Sequence, residues 1–176
     1  MLVNRAPVLT LWGAVVAETL GYDEETALTL GKAIAGQSAH AKGRRLGVYA
    51  ETPEEVETRR ARARAKAGVT WVDFMGRRVP VLRTGKGLRA VREQTPEDPA
   101  AVERYLQKKF GDALPAVRAA MIELASSMPK DDLAERAFAL YERFRPRVPS
   151  GERGWGVQGE LDVARVRALA VQYRSR

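Results

Sequence analysis

The chain has 176 residues, of which 45% are hydrophobic and 30% are charged, a composition typical of a water-soluble protein with one or two domains. It contains no cysteine, which excludes disulfides, thiolate zinc sites and cysteine nucleophiles. The N-terminal apolar stretch is too short to span a bilayer and lacks a signal-peptide cleavage pattern, so we expect a cytoplasmic protein with no membrane partner.

The formal net charge of +8 arises mainly from residues 42–92, which we call the basic segment. This segment holds 14 Lys and Arg against 5 Asp and Glu, whereas residues 1–41 are slightly acidic and residues 93–176 are nearly balanced. A local positive field is a feature that a polyanion such as DNA or RNA uses for binding. The charge alone does not identify that polyanion.

An apolar run near the N-terminus predicts a central helix. Leu9, Trp12 and Val16 recur at helical spacing, and Pro7 is suited to the first turn. Gly21 is expected to end this helix. Because apolar residues surround nearly the whole helix, it should lie in the core.

A second helix is predicted over residues 23–41, with Asp23 as its N-cap and Gly43 as the residue that stops it. Small residues recur three and four apart along this helix, at Gly31, Ala35 and Ser38. Such a stripe permits the close approach of another helix, and the first helix is the nearest candidate.

A third helix is predicted over residues 53–67. Thr52 and Glu55 have the spacing of a capping box, and Pro53 fits the first turn. The apolar side of this helix is thin, and its arginines are spread widely round the axis. It should therefore lie on the surface.

Alternating side chains over residues 69–84 predict a β-hairpin with Gly76, Arg77 and Arg78 at its turn. Pro80 cannot donate to a sheet, so its strand should lie at an edge or turn its amide side to solvent. Residues 84–87 are expected to form a loop, and residues 88–93 a helical turn or two.

The polar, proline-containing residues 94–99 indicate a boundary. It separates a unit of residues 1–94 from a C-terminal helical bundle of residues 95–176, or the two form one continuous domain. Helices are predicted over residues 98–110, 112–128 and 131–144, and a last helix is capped by Glu160 or Asp162. The fold class is therefore mainly α with one β-hairpin, an α+β helical bundle whose N-terminal half resembles a winged helix.

The hairpin turn gives the sharpest functional indication. A hairpin that projects two arginines resembles the wing of a winged-helix protein, and a guanidinium donates several hydrogen bonds to phosphate at once. The helix over residues 53–67 lacks Asn and Gln, the common base readers, so contacts would be to phosphates. The predicted phosphate contacts are Lys42, Arg44, Arg45, Arg59, Arg60, Arg64, Arg77, Arg78 and Lys86. The alternative is that these charges only solubilise a turn and a surface helix.

No catalytic constellation and no metal site is recognisable, and no cofactor is expected. His40 is the only histidine, with no nucleophile at a recognisable spacing and no second histidine for a metal. Residues 84–87 (TGKG) lack the spacing of a phosphate-binding loop. Asp73 either faces solvent or pairs with an arginine such as Arg83. Trp155 either anchors its loop or stacks on a ligand.

Three stretches, residues 4–12 (NRAPVLTLW), 29–33 (TLGKA) and 154–156 (GWG), resemble a family of bacterial hypothetical proteins with no settled activity. The resemblance implies a bacterial, cytoplasmic protein and nothing about its chemistry. The residues themselves favour a non-enzymatic protein that binds DNA or RNA through the basic segment. The alternative is a protein-interaction or structural module, or a homodimer, with no nucleic-acid role.

Overall fold

The computed structural model describes residues 1–45, 52–65, 68–154 and 156–176, with the side chains of these residues except 43–45 and 60–65. The helices are α1 (Arg5–Thr19), α2 (Glu24–Arg45), α3 (Pro53–Ala65), α4 (Pro99–Phe110), α5 (Leu114–Ala125), α6 (Lys130–Phe144) and α7 (Val163–Arg174). The strands are β1 (Leu2–Asn4), β2 (Val69–Phe74), β3 (Arg77–Thr84), β4 (Gly87–Arg92), β5 (Thr95–Pro96) and β6 (Gln158–Glu160). The predicted class, mainly helical with an antiparallel hairpin, is confirmed.

Helices α1 and α2 pack against each other at two facing glycines. A Cβ atom on Gly13 would lie 2.8 Å from Cα of Gly31, and a Cβ atom on Gly31 would lie 2.7 Å from the backbone nitrogen of Ala14. Only glycine leaves room for backbones this close. The predicted small-residue contact between the first two helices is therefore confirmed, and it places α1 in the core, where residues 7–17 are all buried.

The basic segment contains more sheet than its pattern predicts. Strands β2, β3, β4 and β5 form an antiparallel sheet in that order. The expectation of a helical turn over residues 88–93 is wrong, because Gly87–Arg92 is strand β4, paired with β3 through Val81 opposite Ala90. Residues 84–87 form the tight turn between these strands. Strand β3 is interior, and Pro80 lies one residue before the stretch that pairs with β4.

The turn of the β2–β3 hairpin begins one residue earlier than predicted and is shorter. Phe74 pairs with Arg77, so Met75 and Gly76 are the turn residues, with φ angles of 50° and 75°. Two consecutive positive φ angles are typical of the tight turns that suit the twist of a hairpin. Arg77 and Arg78 are consequently the first residues of β3, and their side chains point to opposite faces of the sheet.

Two threonines of α2 satisfy backbone groups of β4. The hydroxyl of Thr26 donates to the carbonyl of Leu88 at 2.6 Å, and the hydroxyl oxygen of Thr29 accepts from the amide of Ala90 at 3.0 Å. These bonds fix the sheet against α2. The facing side chains Val79, Val81 and Ala90 are fully buried in the core.

The C-terminal helices join the same core. The indole of Trp12 in α1 donates to the carbonyl of Ala137 in α6 at 2.8 Å and packs edge-on against Phe144. One hydrophobic cluster contains residues from both sides of the 94–99 boundary, from Val3 to Ala170. None of the described helices combines the length and hydrophobicity that a membrane span requires.

Several helix boundaries were predicted correctly, whereas the short strands β1, β5 and β6 were not predicted. Asp98 caps α4 and Asp162 caps α7, each through its carboxylate. Helix α2 passes Gly43 and continues to Arg45, contrary to expectation. Strands β1 and β6 pair with each other across most of the chain, and the sequence pattern did not indicate either of them.

Candidate nucleic-acid interface

Strands β2 and β3 have a face turned away from the core, whereas Arg89 and Val91 on the same side of β4 are buried. Alternation along β2 and β3 places Phe74, Val79 and Val81 inward, where they are buried. On the other face lie Val69, Trp71, Asp73, Arg78, Pro80 and Leu82, each exposed or half-buried. We call this surface the outer sheet face. It combines an aromatic ring, half-buried apolar side chains and charges on a rigid scaffold.

Trp71 and Arg78 form a stacked pair on the outer sheet face. Trp71 is opposite Pro80, and Arg78 is opposite Asp73, so Trp71 and Arg78 are diagonal neighbours. The guanidinium carbon of Arg78 lies 5.7 Å from the centre of the Trp71 ring. Trp71 keeps 41% of its surface exposed. Sequence reasoning did not single out Trp71, although its alternation with Val72 already placed it beside Asp73.

Asp73 is exposed, and its ion partner is Arg78 rather than Arg83. The two charged groups are 3.9 Å apart, and both side chains are largely in solvent. A pair so exposed contributes little stability, and its charges remain available to a ligand. Asp73 therefore does not neutralise the arginine in the way that a buried partner would.

Lys42 lies toward the same end of the sheet as Arg77 and Arg78. The side-chain amide of Gln37 donates to the carbonyl of Arg78 at 3.2 Å, which ties the middle of α2 to the hairpin. Lys42 is five residues further along α2, about 7–8 Å along the axis. Arg77 is half-buried beside the turn, and Lys42 is half-exposed.

Lys86 lies at the opposite end of the sheet. It belongs to the β3–β4 turn, about 20–25 Å from Arg77 along β3. Arg89 beside it is buried, bonds the carbonyl of Lys86 and forms an ion pair with Glu25 near the start of α2. Lys86 is thus in an environment of mixed charge, and the structure does not bring it together with Arg78.

Helix α3 carries further predicted contacts. Its capping box is confirmed: the amide of Thr52 donates to Glu55, and the amide of Glu55 donates to the hydroxyl of Thr52. Arg59 is exposed on this helix. The side chains of Arg44, Arg45, Arg60 and Arg64 lie outside the described residues, and so does Trp155, so their predicted roles stay predictions.

Lys32 is a cation of α2 that serves packing instead. Its ammonium group lies 3.9 Å from the centre of the Tyr105 ring, between α2 and α4. Burial lowers the pKa of Lys32, and the carboxylate of Glu97 partly opposes that effect. The ammonium group of Lys32 therefore packs between two helices and is not part of the surface proposed to bind a polyanion.

Two other polar side chains of α2 are partly or fully buried. His40 is half-buried in α2, and the nearby hydroxyl of Ser38 is buried without a hydrogen bond to any described residue. Within the described residues, no group of three or more His, Asp or Glu side chains is placed to hold a metal ion. No family model, curated protein or solved structure matches this chain. The resemblance to a bacterial family stays a prediction.

Proposed function

We propose that this protein binds nucleic acid without catalysis and contacts backbone phosphates through the basic segment. The observation that carries the proposal is the exposed Trp71 with Arg78 stacked on it, on the outer sheet face. A nucleobase stacks on an exposed aromatic ring, and an adjacent guanidinium bonds the neighbouring phosphate. Lys42 and Arg77 add positive charge at the same end of the sheet.

The geometry favours a strand with accessible bases over an intact duplex. A ring on a sheet face stacks with bases that are unpaired, whereas bases within a duplex are already stacked. The half-buried side chains of Pro80 and Leu82 extend the apolar surface beside Trp71. Phosphate contacts give no sequence preference, so binding should tolerate many sequences.

Substitution of the stacked pair tests this proposal. Trp71→Ala should weaken binding of a fluorescent single-stranded oligonucleotide by about 1–3 kcal/mol, because base stacking is lost. Trp71→Phe should weaken binding less than Trp71→Ala does, because an aromatic ring remains for stacking. Arg78→Ala should weaken binding and lower the magnitude of the salt-dependence slope by about 0.7–0.9, the contribution of one phosphate contact. Fluorescence anisotropy measures both quantities.

Arg104→Ala is the matched control for Arg78→Ala. Arg104 lies on α4, outside the basic segment, and the two arginine side chains are equally exposed, at 73%. Each also lies 3.9 Å from an aspartate, Asp98 for Arg104 and Asp73 for Arg78. Equal loss of affinity in both variants would mean that general charge, not this surface, drives binding.

Self-association is a second candidate function, favoured by the surfaces of α5 and α7. Ile122 and Val171 are 47% and 62% exposed, and they are the large apolar residues that the described helices expose. Exposed small residues precede each of them at helical spacing, Ala119 on α5 and Ala168 on α7. Two copies could bury these stripes against each other.

Light scattering distinguishes the second candidate. A homodimer through α5 and α7 predicts twice the monomer mass, and Ile122→Glu together with Val171→Glu should restore the monomer because charge would be buried at the interface. A monomer at all accessible concentrations would dismiss this candidate and leave the nucleic-acid proposal unaffected.

A further inference from the structure

A cleft distant in sequence from the basic segment lies where α6 begins and α7 ends. It has a volume of about 360 Å³ and is lined by Met128, Pro129, Asp132, Arg136, Tyr173 and Arg176. This volume is at the lower end of the range of small-molecule sites, roughly 300–1,000 Å³. The lining combines two arginines, one carboxylate, an aromatic ring and two apolar side chains.

Tyr173 is held in place by the cations around it. Its hydroxyl oxygen accepts a hydrogen bond of 3.0 Å from Arg143, whose other terminal nitrogen donates to Gln172, also at 3.0 Å. The guanidinium carbons of Arg143 and Arg176 lie 5.8 and 5.7 Å from the ring centre. These contacts orient the ring as a wall of the cleft.

The charges at this cleft favour an anion. Asp132, Arg136 and Arg143 recur at intervals of four and seven residues along α6, so they share one face of that helix. Arg143 is committed to Tyr173 and Gln172, whereas Arg136 forms no ion pair with any described residue. Arg136 and Arg176 are the two guanidinium groups of the cleft, and they lie beside the carboxylate of Asp132.

We propose that this cleft binds a nucleoside monophosphate. The base would lie against Tyr173, Met128 and Pro129, and the phosphate would lie between Arg136 and Arg176, because guanidinium groups bind phosphate in a planar fork. Asp132 would accept hydrogen bonds from ribose hydroxyls or a base amine. A bare phosphate would leave the ring unused, and an uncharged nucleoside would leave the arginines unused.

Isothermal titration calorimetry with adenosine monophosphate, adenosine and inorganic phosphate tests the assignment. The monophosphate should bind at least about tenfold more tightly than either fragment, because only it uses both halves of the cleft. Arg136→Ala and Arg176→Ala should each weaken its binding about tenfold or more, as expected for a lost charged hydrogen bond. Tyr173→Leu should weaken binding of the monophosphate while leaving that of inorganic phosphate unchanged.

Arg104→Ala, outside the cleft, should bind the monophosphate like the wild type. Thermal unfolding of each variant checks that it folds. Absence of heat at millimolar monophosphate, or equal affinity for all three probes, would overturn the assignment. Unchanged affinity in both Arg136→Ala and Arg176→Ala would do the same. Oligonucleotide binding by the outer sheet face is measured separately, so either proposal can fail alone.

Discussion

Asp23 illustrates how a single residue fixes the start of α2. The amide of Thr26 donates to one carboxylate oxygen of Asp23 at 3.0 Å, and the Thr26 hydroxyl lies 2.7 Å from the other. The contact with the Thr26 hydroxyl, and after it the bond from the Thr26 amide, hold the pKa of the Asp23 carboxyl below its usual range. The same threonine bonds β4, so the cap connects the helix start to the sheet.

Replacement of the cap should give a pH-dependent loss of stability. Asp23→Ala should destabilise the protein by about 0.5–2 kcal/mol at neutral pH, the range measured for N-cap removal. Because the folded pKa is depressed, the stabilising charge is fully present above the unfolded value of about 3.9 and is lost as pH falls through the folded pKa. The difference in unfolding free energy between Asp23→Ala and the wild type should therefore become smaller at acid pH. Urea unfolding at several pH values measures it, and Asp23→Asn, which retains an acceptor without the charge, should show a smaller pH dependence.

Residue-scale predictions succeeded where the determinant is local. The caps at Asp23, Thr52, Asp98 and Asp162 depend on side chains within three residues, and the sequence contains them in full. The positions of Arg77 and Arg78 depend instead on strand register. In the observed register, Met75 and Gly76 form the turn. The same register places Arg78 beside Trp71, a contact that sequence spacing did not predict.

At the scale of elements, the contact between α1 and α2 depends on Gly31. A Cβ atom there would meet the backbone of α1 within 2.7 Å of Ala14, and backbone cannot rotate away as a side chain can. Gly31→Ala should therefore force the helices apart and cost about 1–3 kcal/mol or more. Chemical denaturation measures the change.

Gly36→Ala in the same helix is the matched control. Gly36 is exposed, and an added Cβ atom would have nothing within 4 Å. Because alanine favours helix more than glycine does, this variant should be stabilised by about 0.5–1 kcal/mol. Destabilisation by both substitutions, or by neither, would contradict the close contact of α1 and α2.

The helices were more predictable than the strands because their signals are continuous along the chain. Strand β4 was not predicted because Arg89 breaks its apolar pattern, and that arginine is buried in a pair with Glu25 of α2, which is distant in sequence. Strands β1 and β6 pair across more than 150 residues, as in Leu2 opposite Glu160. A short strand whose partner is so remote carries no local pattern of its own.

At the scale of the whole molecule, the described cations of the basic segment do not form one uniform patch. Strand β3 carries Arg77 and Arg78 to the end of the sheet near Gln37, and the following turn carries Lys86 to the other end. Composition predicted the positive charge of this segment. The separation of its cations between the two ends of the sheet follows from the strand pairing. The stacked pair at the first end is the part of the surface on which the nucleic-acid proposal depends.

The salt dependence of binding tests that proposal most directly. Affinity for a random-sequence single-stranded oligonucleotide, measured from about 50 to about 200 mM salt, should fall linearly on a double-logarithmic plot. Contacts from Lys42 and Arg78 predict a slope of about −1.4 or steeper, at about 0.7 per phosphate on a single strand. Absence of binding at the lowest salt, or an affinity that does not change with salt, would contradict the account.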